Sequence, residues 1–117
     1  MSEHSEQCAV VEWLQWHKIR HYAVPNGGSR NKAEAARLKA EGVSPGVPDL
    51  CIPVPTGGAH GLYIEMKFGK NKTSETQDEW ISYLSGVGYT CAVCYSADAA
   101  ISIVKSYLDS KNGEVNT

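Results

Sequence analysis

The segment Leu62-Tyr63-Ile64-Glu65-Met66-Lys67 places a carboxylate and an amine two positions apart at the end of an apolar run. An apolar run of this length indicates a β-strand. Because side chains alternate between the two faces of a strand, Tyr63, Glu65 and Lys67 line one face, and the apolar residues between them line the other. The segment therefore predicts a strand that presents the Glu65 carboxylate and the Lys67 amine on the same side.

A second carboxylate lies sixteen residues upstream, at Asp49 in Gly46-Val47-Pro48-Asp49. If a neighbouring strand begins at Asp49, its carboxylate comes close to that of Glu65. Two close carboxylates cannot both stay ionised in a dry site without a cation. Mg²⁺ binds through one or two carboxylates together with substrate phosphate, and such a metal supports phosphodiester hydrolysis. The pair is therefore a candidate site for Mg²⁺ or Mn²⁺.

An Asp at the start of one strand and Glu-x-Lys on a second strand resemble the PD-(D/E)-x-K nuclease superfamily. These three residues alone are weakly specific, but the surrounding sequence resembles the VRR-NUC family of small nucleases, in the stand-alone form typical of bacteria and phages. The similarity runs from about Glu6 to about Leu108, nearly the whole chain. It rests on Pro25-Asn26-Gly27-Gly28, Lys32 to Lys39, Glu41-Gly42-Val43, Gly46 to Leu50, Ile64 to Lys67, Gln77 and Trp80.

The resemblance implies an active site in which Glu6, Asp49 and Glu65 bind the metal. The backbone carbonyl of Met66, on the same strand as Glu65, is a further candidate oxygen ligand. Lys67 is expected to orient or deprotonate the attacking water and to offset charge on the phosphate. Asp49, Glu65 and Lys67 are thus predicted to be catalytic.

Glu6 lies on a predicted amphipathic helix, residues 5 to 18. At about 100° per residue it falls within about 40° of Val10 and about 20° of Trp13, so its side chain points toward the core. A carboxylate in that position is costly unless it is paired or bound to metal. Two alternatives stay open: Glu6 can be an exposed acid favoured by the helix dipole, and the nearby Glu3 can be the residue that matches the family.

Ser74-Glu75-Thr76-Gln77 fits a capping box at the start of a helix. Gln77 shares a helical stripe with Trp80 and Leu84, so its amide is predicted to face inward, near the strands of the metal site. The resemblance places this Gln in the active site. Gln77 is therefore a fourth candidate catalytic residue, and a catalytic role and a capping role are compatible.

The net charge is −2, but the basic residues are concentrated. Residues 13 to 40 hold six bases and one acid, and residues 66 to 74 hold three bases and no acid. A basic stripe beside an acidic metal pocket suits an enzyme that must attract a phosphodiester backbone, although a solvated charged face is the alternative. The glycines at 27 and 28 fit a phosphate-facing loop or an ordinary turn. The predicted DNA-binding residues are Asn26, Arg30, Lys32, Arg37 and Lys39.

The length of 117 residues suits one domain, predicted over residues 1–110, with a frayed tail at 111–117. The longest apolar stretches fall well short of the roughly 18 residues that a membrane span needs. The N-terminus is polar and acidic, unlike a signal peptide. These features predict a cytoplasmic protein, of a bacterium or a phage-infected host, with no membrane partner.

Four cysteines stand at positions 8, 51, 91 and 94. Cys91 and Cys94 lie in a strand-like run, where residues three apart face opposite sides and cannot chelate one ion. No second Cys/His pair has ligand spacing. We therefore expect reduced core thiols and no zinc site, rather than a disulfide.

The remaining pattern predicts an α/β sandwich with a small mixed sheet and helices on both faces, compatible with the restriction-endonuclease-like fold. Gly42 suits the end of the second helix, and Asn31 or Ser29 suits its start. The predicted elements are a helix at 5–18, a strand at 22–24, a helix ending at Gly42, strands at 49–54 and 60–67, a helix from Ser74, a strand at 89–95 and a helix from Ser96.

These features predict a metal-dependent DNA endonuclease. By resemblance the substrate is branched DNA, such as a four-way (Holliday) junction. Symmetric resolution of a junction requires two cuts, which a C2 homodimer supplies. The alternatives are a monomeric flap or nicking nuclease, a catalytically silent DNA-binding module on the same fold, and a protein-interaction domain whose acids only form ion pairs.

Overall fold

The computed structural model describes residues 1–25 and 31–110. These residues form four helices and four strands in the predicted order. Their bounds are α1 Glu3–Trp16, β1 Tyr22–Ala23, α2 Lys32–Ala40, β2 Leu50–Ile52, β3 Leu62–Met66, α3 Glu75–Gly86, β4 Thr90–Cys94 and α4 Ala97–Asp109. The predicted tail, 111–117, lies outside the described residues.

The strands form one mixed sheet in the order β1-β2-β3-β4. β1 pairs with β2 and β2 with β3 in antiparallel fashion, whereas β3 and β4 are parallel. Parallel neighbours need a long crossover, and α3 supplies it. The predicted mixed sheet is confirmed, but the strand order is new, because the hydrophobic pattern of each strand says nothing about its neighbours.

The core lies on one face of the sheet. Leu62, Ile64 and Met66 are fully buried there, as the alternation of β3 predicts. α1 contributes Val10 and Leu14 to the same core, and α4 contributes Ala100, Val104 and Tyr107. The other face of β3 carries Tyr63 and Glu65, and α3 reaches Glu65 from that side. Helices therefore flank both faces, as predicted.

Helix boundaries differ slightly from the predicted ones because of local capping. Ser2 forms a capping box with Ser5, so α1 begins at Glu3 rather than at residue 5. Lys18 has a left-handed φ of 56°, which ends the helix before it. Asn31 caps α2, and Gly42, with φ of 103°, follows its end as predicted.

The two central strands are shorter than predicted. β2 ends at Ile52 because Pro53 follows, and proline cannot donate to a sheet ladder. The predicted turn is present: Gly57 and Gly58 both have positive φ, within a bridge that joins Thr56 to Ala59. Asp49 therefore lies immediately before β2 rather than within it.

α2 differs from the other helices. It buries none of its residues, and Leu38 alone is half-buried. Within the described part of the chain it packs against no other helix or strand. Its sequence is rich in alanine and charge, which supports the helix through backbone propensity rather than through tertiary packing.

All four cysteines are free thiols. Cys51 and Cys94 are buried, as expected, and Cys91 is half-buried, but Cys8 is exposed on α1, so the expectation of a core thiol is wrong at that position. Over residues 1–25 and 31–110, the helices are too short or too polar to span a bilayer.

Candidate active site

Sheet register brings the two predicted carboxylates together. Leu50 pairs with Ile64 in the antiparallel ladder. The next pair of positions, Asp49 and Glu65, therefore face each other across the two chains. Asp49 Oδ2 accepts a hydrogen bond of 2.8 Å from the backbone N–H of Met66. On its other side, the Asp49 carbonyl accepts a hydrogen bond of 2.8 Å from the N–H of Val24. Asp49 is therefore held between β1 and β3, with its carboxylate fixed against the end of β3.

Glu65 is buried, with 2% of its surface exposed. Its Oε2 accepts a hydrogen bond of 3.1 Å from Gln77 Nε2 and lies 3.7 Å from Lys67 Nζ. Within the described residues, its Oε1 is the one buried side-chain polar atom without a hydrogen-bond partner. Buried polar atoms are nearly always satisfied, so an orphaned carboxylate oxygen needs an explanation.

Gln77 joins α3 to the strands: it caps the helix and its amide faces inward onto Glu65, as predicted. Its Oε1 accepts a hydrogen bond of 2.8 Å from the Ser74 N–H, and its own N–H donates to Ser74 Oγ at 3.2 Å. These two bonds complete the capping box. Its Nε2 remains available for Glu65. The capping geometry therefore fixes the side chain that holds the carboxylate.

Gly46 packs the loop before Asp49 against the N-terminus of α3, a contact that the sequence did not reveal. A Cβ at this position would lie 2.6 Å from the Thr76 carbonyl oxygen and 3.0 Å from the Gln77 nitrogen. Gly46 also has a φ of 94°, which side chains of L-residues rarely adopt. The backbone before Asp49 thus packs directly on the first turn of α3, and this contact sets the position of Gln77 relative to Asp49.

The electrostatics of the site follow from its burial. Burial, together with charge repulsion and hydrogen bonding from the neighbouring Asp49, raises the pKa of Glu65 to about 8. The Lys67 ammonium opposes this rise, whereas the more distant Glu3 adds to it. In the metal-free protein, Glu65 therefore holds a proton at neutral pH, which is what two adjacent carboxylates without a cation require.

The acids of α1 occupy separate environments. Glu6 is half-buried, consistent with its predicted inward direction, and its Oε1 accepts a hydrogen bond of 2.9 Å from the N–H of Ala97 at the start of α4. Glu3 is exposed, yet its charge acts on Glu65. In the described ranges, no group of three or more His, Cys, Asp or Glu side chains is assembled to hold a metal. The structure thus brings Asp49 and Glu65 together but gives Glu6 a different partner.

The oxygen-only donor set fits a hard divalent cation. Asp49 and Glu65 supply carboxylates, and the unpaired Oε1 of Glu65 is an acceptor for which the described residues offer no hydrogen. The side chain of Met66 lies in the core, so only its backbone carbonyl is eligible as a ligand. Two carboxylates suit Mg²⁺ or Mn²⁺, which complete their coordination with water and substrate oxygens.

Predicted DNA contacts lie on a separate element. Lys32, Arg37 and Lys39 are exposed on α2. Arg37 Nη1 lies 3.2 Å from Glu41 Oε2 in an exposed pair, which contributes little and exchanges readily for another anion. Asn26 and Arg30, also predicted to bind DNA, lie outside the described residues.

A second basic segment borders the site itself. Lys70 and Lys72 are exposed in the loop that follows Lys67. Tyr95, just after β4, donates a hydrogen bond of 2.9 Å from its hydroxyl to the carbonyl of Asn71. This bond ties the loop to the end of the neighbouring strand, so the two lysines stay close to the carboxylate pair. Sequence spacing indicated the lysines but gave no sign of the Tyr95 anchor.

An α/β sandwich that presents Asp, then Glu-x-Lys, at the ends of two adjacent strands defines a nuclease of the PD-(D/E)-x-K class. The profile of the VRR-NUC domain matches residues 1–98, and the chain belongs to this family. One similar solved structure is described as a "VRR_NUC domain protein"; it is 29% identical, with a TM-score of 0.84, and the match covers 100% of this chain and 98% of that one. No curated protein matches the sequence. The family is one of nucleases, and DNA binding follows from that function.

Proposed function

We propose that this protein is a metal-dependent, structure-selective DNA endonuclease. One observation carries the proposal: Glu65 is buried beside Asp49, and when Glu65 is ionised one of its carboxylate oxygens has no hydrogen-bond donor among the described residues. An ion pair that served only stability would satisfy that oxygen, because an unsatisfied buried polar atom costs about 1–3 kcal/mol. Metal binding explains why the cost is tolerated.

The ligands in this proposal are Asp49, Glu65, the carbonyl of Met66 and one acid of α1. A bound Mg²⁺ or Mn²⁺ polarises a phosphoryl oxygen and lowers the pKa of a water molecule. Glu6 reaches this set only through its second oxygen or by releasing the Ala97 N–H. Glu3 is the alternative ligand, since its charge already acts on Glu65.

Lys67 and Gln77 act around the carboxylates. Lys67 Nζ, 3.7 Å from Glu65, is placed to orient or deprotonate the attacking water and to offset charge on the phosphate. Gln77 holds Glu65 Oε2, so the free Oε1 keeps a fixed direction. The side-chain oxygen of Gln77 accepts a hydrogen bond from the Ser74 N–H. The role of Gln77 is therefore to position Glu65 and, through Glu65, Lys67.

The DNA backbone is held by the basic residues outside this pocket. Lys32, Arg37 and Lys39 on α2 are exposed and free of buried structural contacts, which suits phosphate binding without sequence readout. Asn26 and Arg30 precede the same helix in the chain and complete the proposed set.

The proposed substrate is branched DNA, with the four-way junction as the leading form. Cleavage of two symmetry-related strands requires two active sites, and this small domain offers one. We therefore propose a C2 homodimer. Light scattering at micromolar concentration should give about twice the mass of 12.7 kDa. A monomer, both alone and on junction DNA, would instead favour a flap or nicking enzyme.

A catalytically silent DNA-binding module on the same fold is the second candidate. The filled positions Asp49, Glu65, Lys67 and Gln77, joined by hydrogen bonds and an ion pair, count against it. A protein-interaction domain is a third candidate, and the partnerless oxygen of Glu65 counts against that one.

The deciding experiment incubates the protein with labelled linear, flap and four-way DNA in Mg²⁺, Mn²⁺ or EDTA. We expect cleavage of the branched forms with either metal and none in EDTA. Glu65→Gln, which keeps the shape of the side chain, is the matched control and should not cleave. Binding without cleavage by the wild type would support the silent module, and the absence of both would support the interaction domain.

A further inference from the structure

A row of side chains crosses the sheet beside the carboxylate pair, on the face opposite the core. Tyr22 of β1 pairs with Cys51 of β2, which pairs with Tyr63 of β3. Residues that face each other in an antiparallel ladder project from the same side of the sheet. Tyr63 and Glu65 are two apart on β3 and share that side. The row therefore lies on the face of the carboxylates, opposite the core.

These side chains touch one another. Hydrogen bonding to Cys51 raises the pKa of Tyr22, and a hydrogen bond with Tyr63 acts in the opposite sense. The ring of Tyr63 lies 5.3 Å from that of Tyr89 at 69°, an edge-to-face contact. We call Tyr22, Tyr63 and Tyr89 the tyrosine row. A ring contact joins Tyr89 to Tyr63, and hydrogen bonding joins Tyr63 to Tyr22 on the outer strand of the sheet.

The outer end of the row is open to solvent. Tyr22 is 50% exposed, whereas Tyr63 and Tyr89 are half-buried. Lys18 and Arg20, just before it in the chain, are also exposed. Aromatic side chains combined with basic ones are typical of surfaces that bind unpaired nucleic acid, because bases stack on the rings while phosphates meet the charges.

The row also lies at the right distance from the carboxylates. Tyr22 lies opposite Cys51 across one strand spacing of about 4.8 Å, and Asp49 is two residues, or about 7 Å, from Cys51 along the chain. Tyr22 and Asp49 are therefore separated by roughly 8–9 Å, which is two to three times the rise of roughly 3.4 Å per nucleotide along one strand of DNA. A base stacked on Tyr22 therefore belongs to a nucleotide about two or three positions from the phosphate at the active site.

We propose that the tyrosine row binds an unpaired nucleobase of the DNA strand that is cut, with Tyr22 as its exposed stacking surface. This inference rests on the proposed function and deepens it, because it names what the enzyme recognises in a branched substrate. Bases in a continuous duplex are stacked on their neighbours and cannot reach the row. Bases at a branch point or in a single-stranded arm can do so.

A second copy of this chain is a poorer occupant of the same surface. The edge strand β1 is only two residues long, Tyr22–Ala23, and Pro25 follows closely. Short edges beside proline and basic residues resist pairing between strands. Lys18 and Arg20 would also meet their own copies across a two-fold contact, whereas they complement a phosphate backbone.

The test measures binding in Ca²⁺, without catalysis, to two DNAs: a flap with 2-aminopurine as its first unpaired base, and the blunt duplex of the same sequence. Tyr22→Leu should weaken flap binding by about tenfold or more, because stacking of one base on an aromatic ring contributes about a factor of ten to affinity. Binding of the duplex, which has no unpaired base, should stay within twofold of the wild-type value. Tyr22→Phe and Tyr22→Trp keep the ring and should retain flap affinity. In the wild type and in these two variants, the 2-aminopurine fluorescence should be quenched.

Trp16→Leu is the matched control. Trp16 is 83% exposed on α1, which packs on the core face of the sheet, so its loss should not change flap binding. Equal losses for flap and duplex with Tyr22→Leu, or no loss for either, would overturn the proposal. A loss with Tyr22→Phe would assign the effect to the hydroxyl and overturn stacking. If Tyr22→Leu fails to fold, the Tyr22→Trp variant still tests the proposal, because stacking on Trp should quench the 2-aminopurine fluorescence and an unquenched signal would overturn it.

The two proposals can fail separately. If the wild type binds and quenches the flap through Tyr22 but does not cleave it in Mg²⁺ or Mn²⁺, the nuclease proposal fails and the tyrosine row remains. If the wild type cleaves branched DNA while Tyr22→Leu binds it normally, the nuclease proposal remains and the tyrosine row is wrong.

Discussion

The carboxylate site and α2 are both proposed to serve the same reaction, yet the two regions are built in opposite ways. Hydrogen bonds tie the side chain of Asp49 to β3, that of Glu65 to α3, and that of Gln77 to both Glu65 and its own helix cap. α2 exposes nearly every side chain and packs on no other described helix or strand. Chemistry at a phosphate depends on geometry to fractions of an ångström, whereas attraction of a charged backbone does not. The difference therefore matches the difference in task.

Removal of either carboxylate should have the largest effect. Asp49→Ala or Glu65→Gln should reduce cleavage of branched DNA to the level seen in EDTA, because the metal then loses half of its carboxylate pair. DNA binding should survive, since the pair carries a negative charge when no metal is bound and therefore does not attract phosphate. Gel assays of cleavage, with binding measured in parallel by fluorescence anisotropy, check both parts.

Lys67→Ala sharpens this assignment. It should lower turnover while leaving the affinity for Mn²⁺, measured by calorimetry, nearly unchanged. Wild-type turnover by either carboxylate variant would show that the pair is structural. Loss of Mn²⁺ binding in Lys67→Ala would show that the lysine organises the ligands rather than the water.

Gly46→Ala tests whether the site needs its close packing. The added methyl would lie 2.6 Å from the Thr76 carbonyl, on backbone with a φ of 94°, so the first turn of α3 must shift. We expect a loss of about 1–3 kcal/mol in the free energy of unfolding, and a fall in turnover larger than any change in DNA affinity. Gly58→Ala, with positive φ but open space around it, is the control for backbone strain alone.

Denaturant unfolding and single-turnover kinetics measure the two effects. If Gly46→Ala is destabilised no more than Gly58→Ala and keeps its turnover, the contact with α3 does not position Gln77. The site would then resemble α2 in its tolerance of local change.

Sequence pattern predicted the parts of the site that depend on local geometry. The period-two alternation of β3 placed Glu65 and Lys67 on one face. The capping box identified the start of α3, and the helical stripe shared with Trp80 and Leu84 predicted the inward direction of Gln77. It could not predict the bond from Glu6 to Ala97 or the contact of Gly46 with Thr76. Both depend on how distant elements pack, which no single helix or strand pattern encodes.

The pH dependence of the free energy of unfolding measures the free-energy cost of burying the ionised carboxylate pair. In the metal-free protein the pKa of Glu65 is about 8, above its ordinary value of 4.5. Between these two values the folded protein holds a proton that the unfolded chain has lost, so the free energy of unfolding should fall as pH rises from about 4.5 to about 8. Below about pH 4.5 the contribution of protonated Glu65 to the free energy of unfolding is fully present. Denaturant titrations in EDTA at several pH values measure the fall.

Glu65→Gln should flatten this dependence, because an amide carries no proton to lose. Saturating Mg²⁺ should also flatten or reverse it in the wild type, since the bound cation favours the ionised carboxylate. A wild-type profile that is flat in EDTA would mean that Glu65 is already ionised beside Asp49. The site would then not require a cation.

The smallest effects on the fold should come from α2, and this is the most direct test of the contrast. Replacing Lys32, Arg37 and Lys39 together by Ala should leave the melting temperature within a few degrees, because the helix buries none of its residues and alanine favours helices. The same variant should bind duplex and branched DNA more weakly. The slope of the logarithm of its binding constant against the logarithm of salt concentration should be flatter by about 0.9 per lost phosphate contact.

Lys105→Ala is the control. It removes an exposed base from α4, which packs on the core face, and should leave that slope unchanged. A large drop in melting temperature would show that α2 is docked after all, and an unchanged slope would make its charges a solvated face.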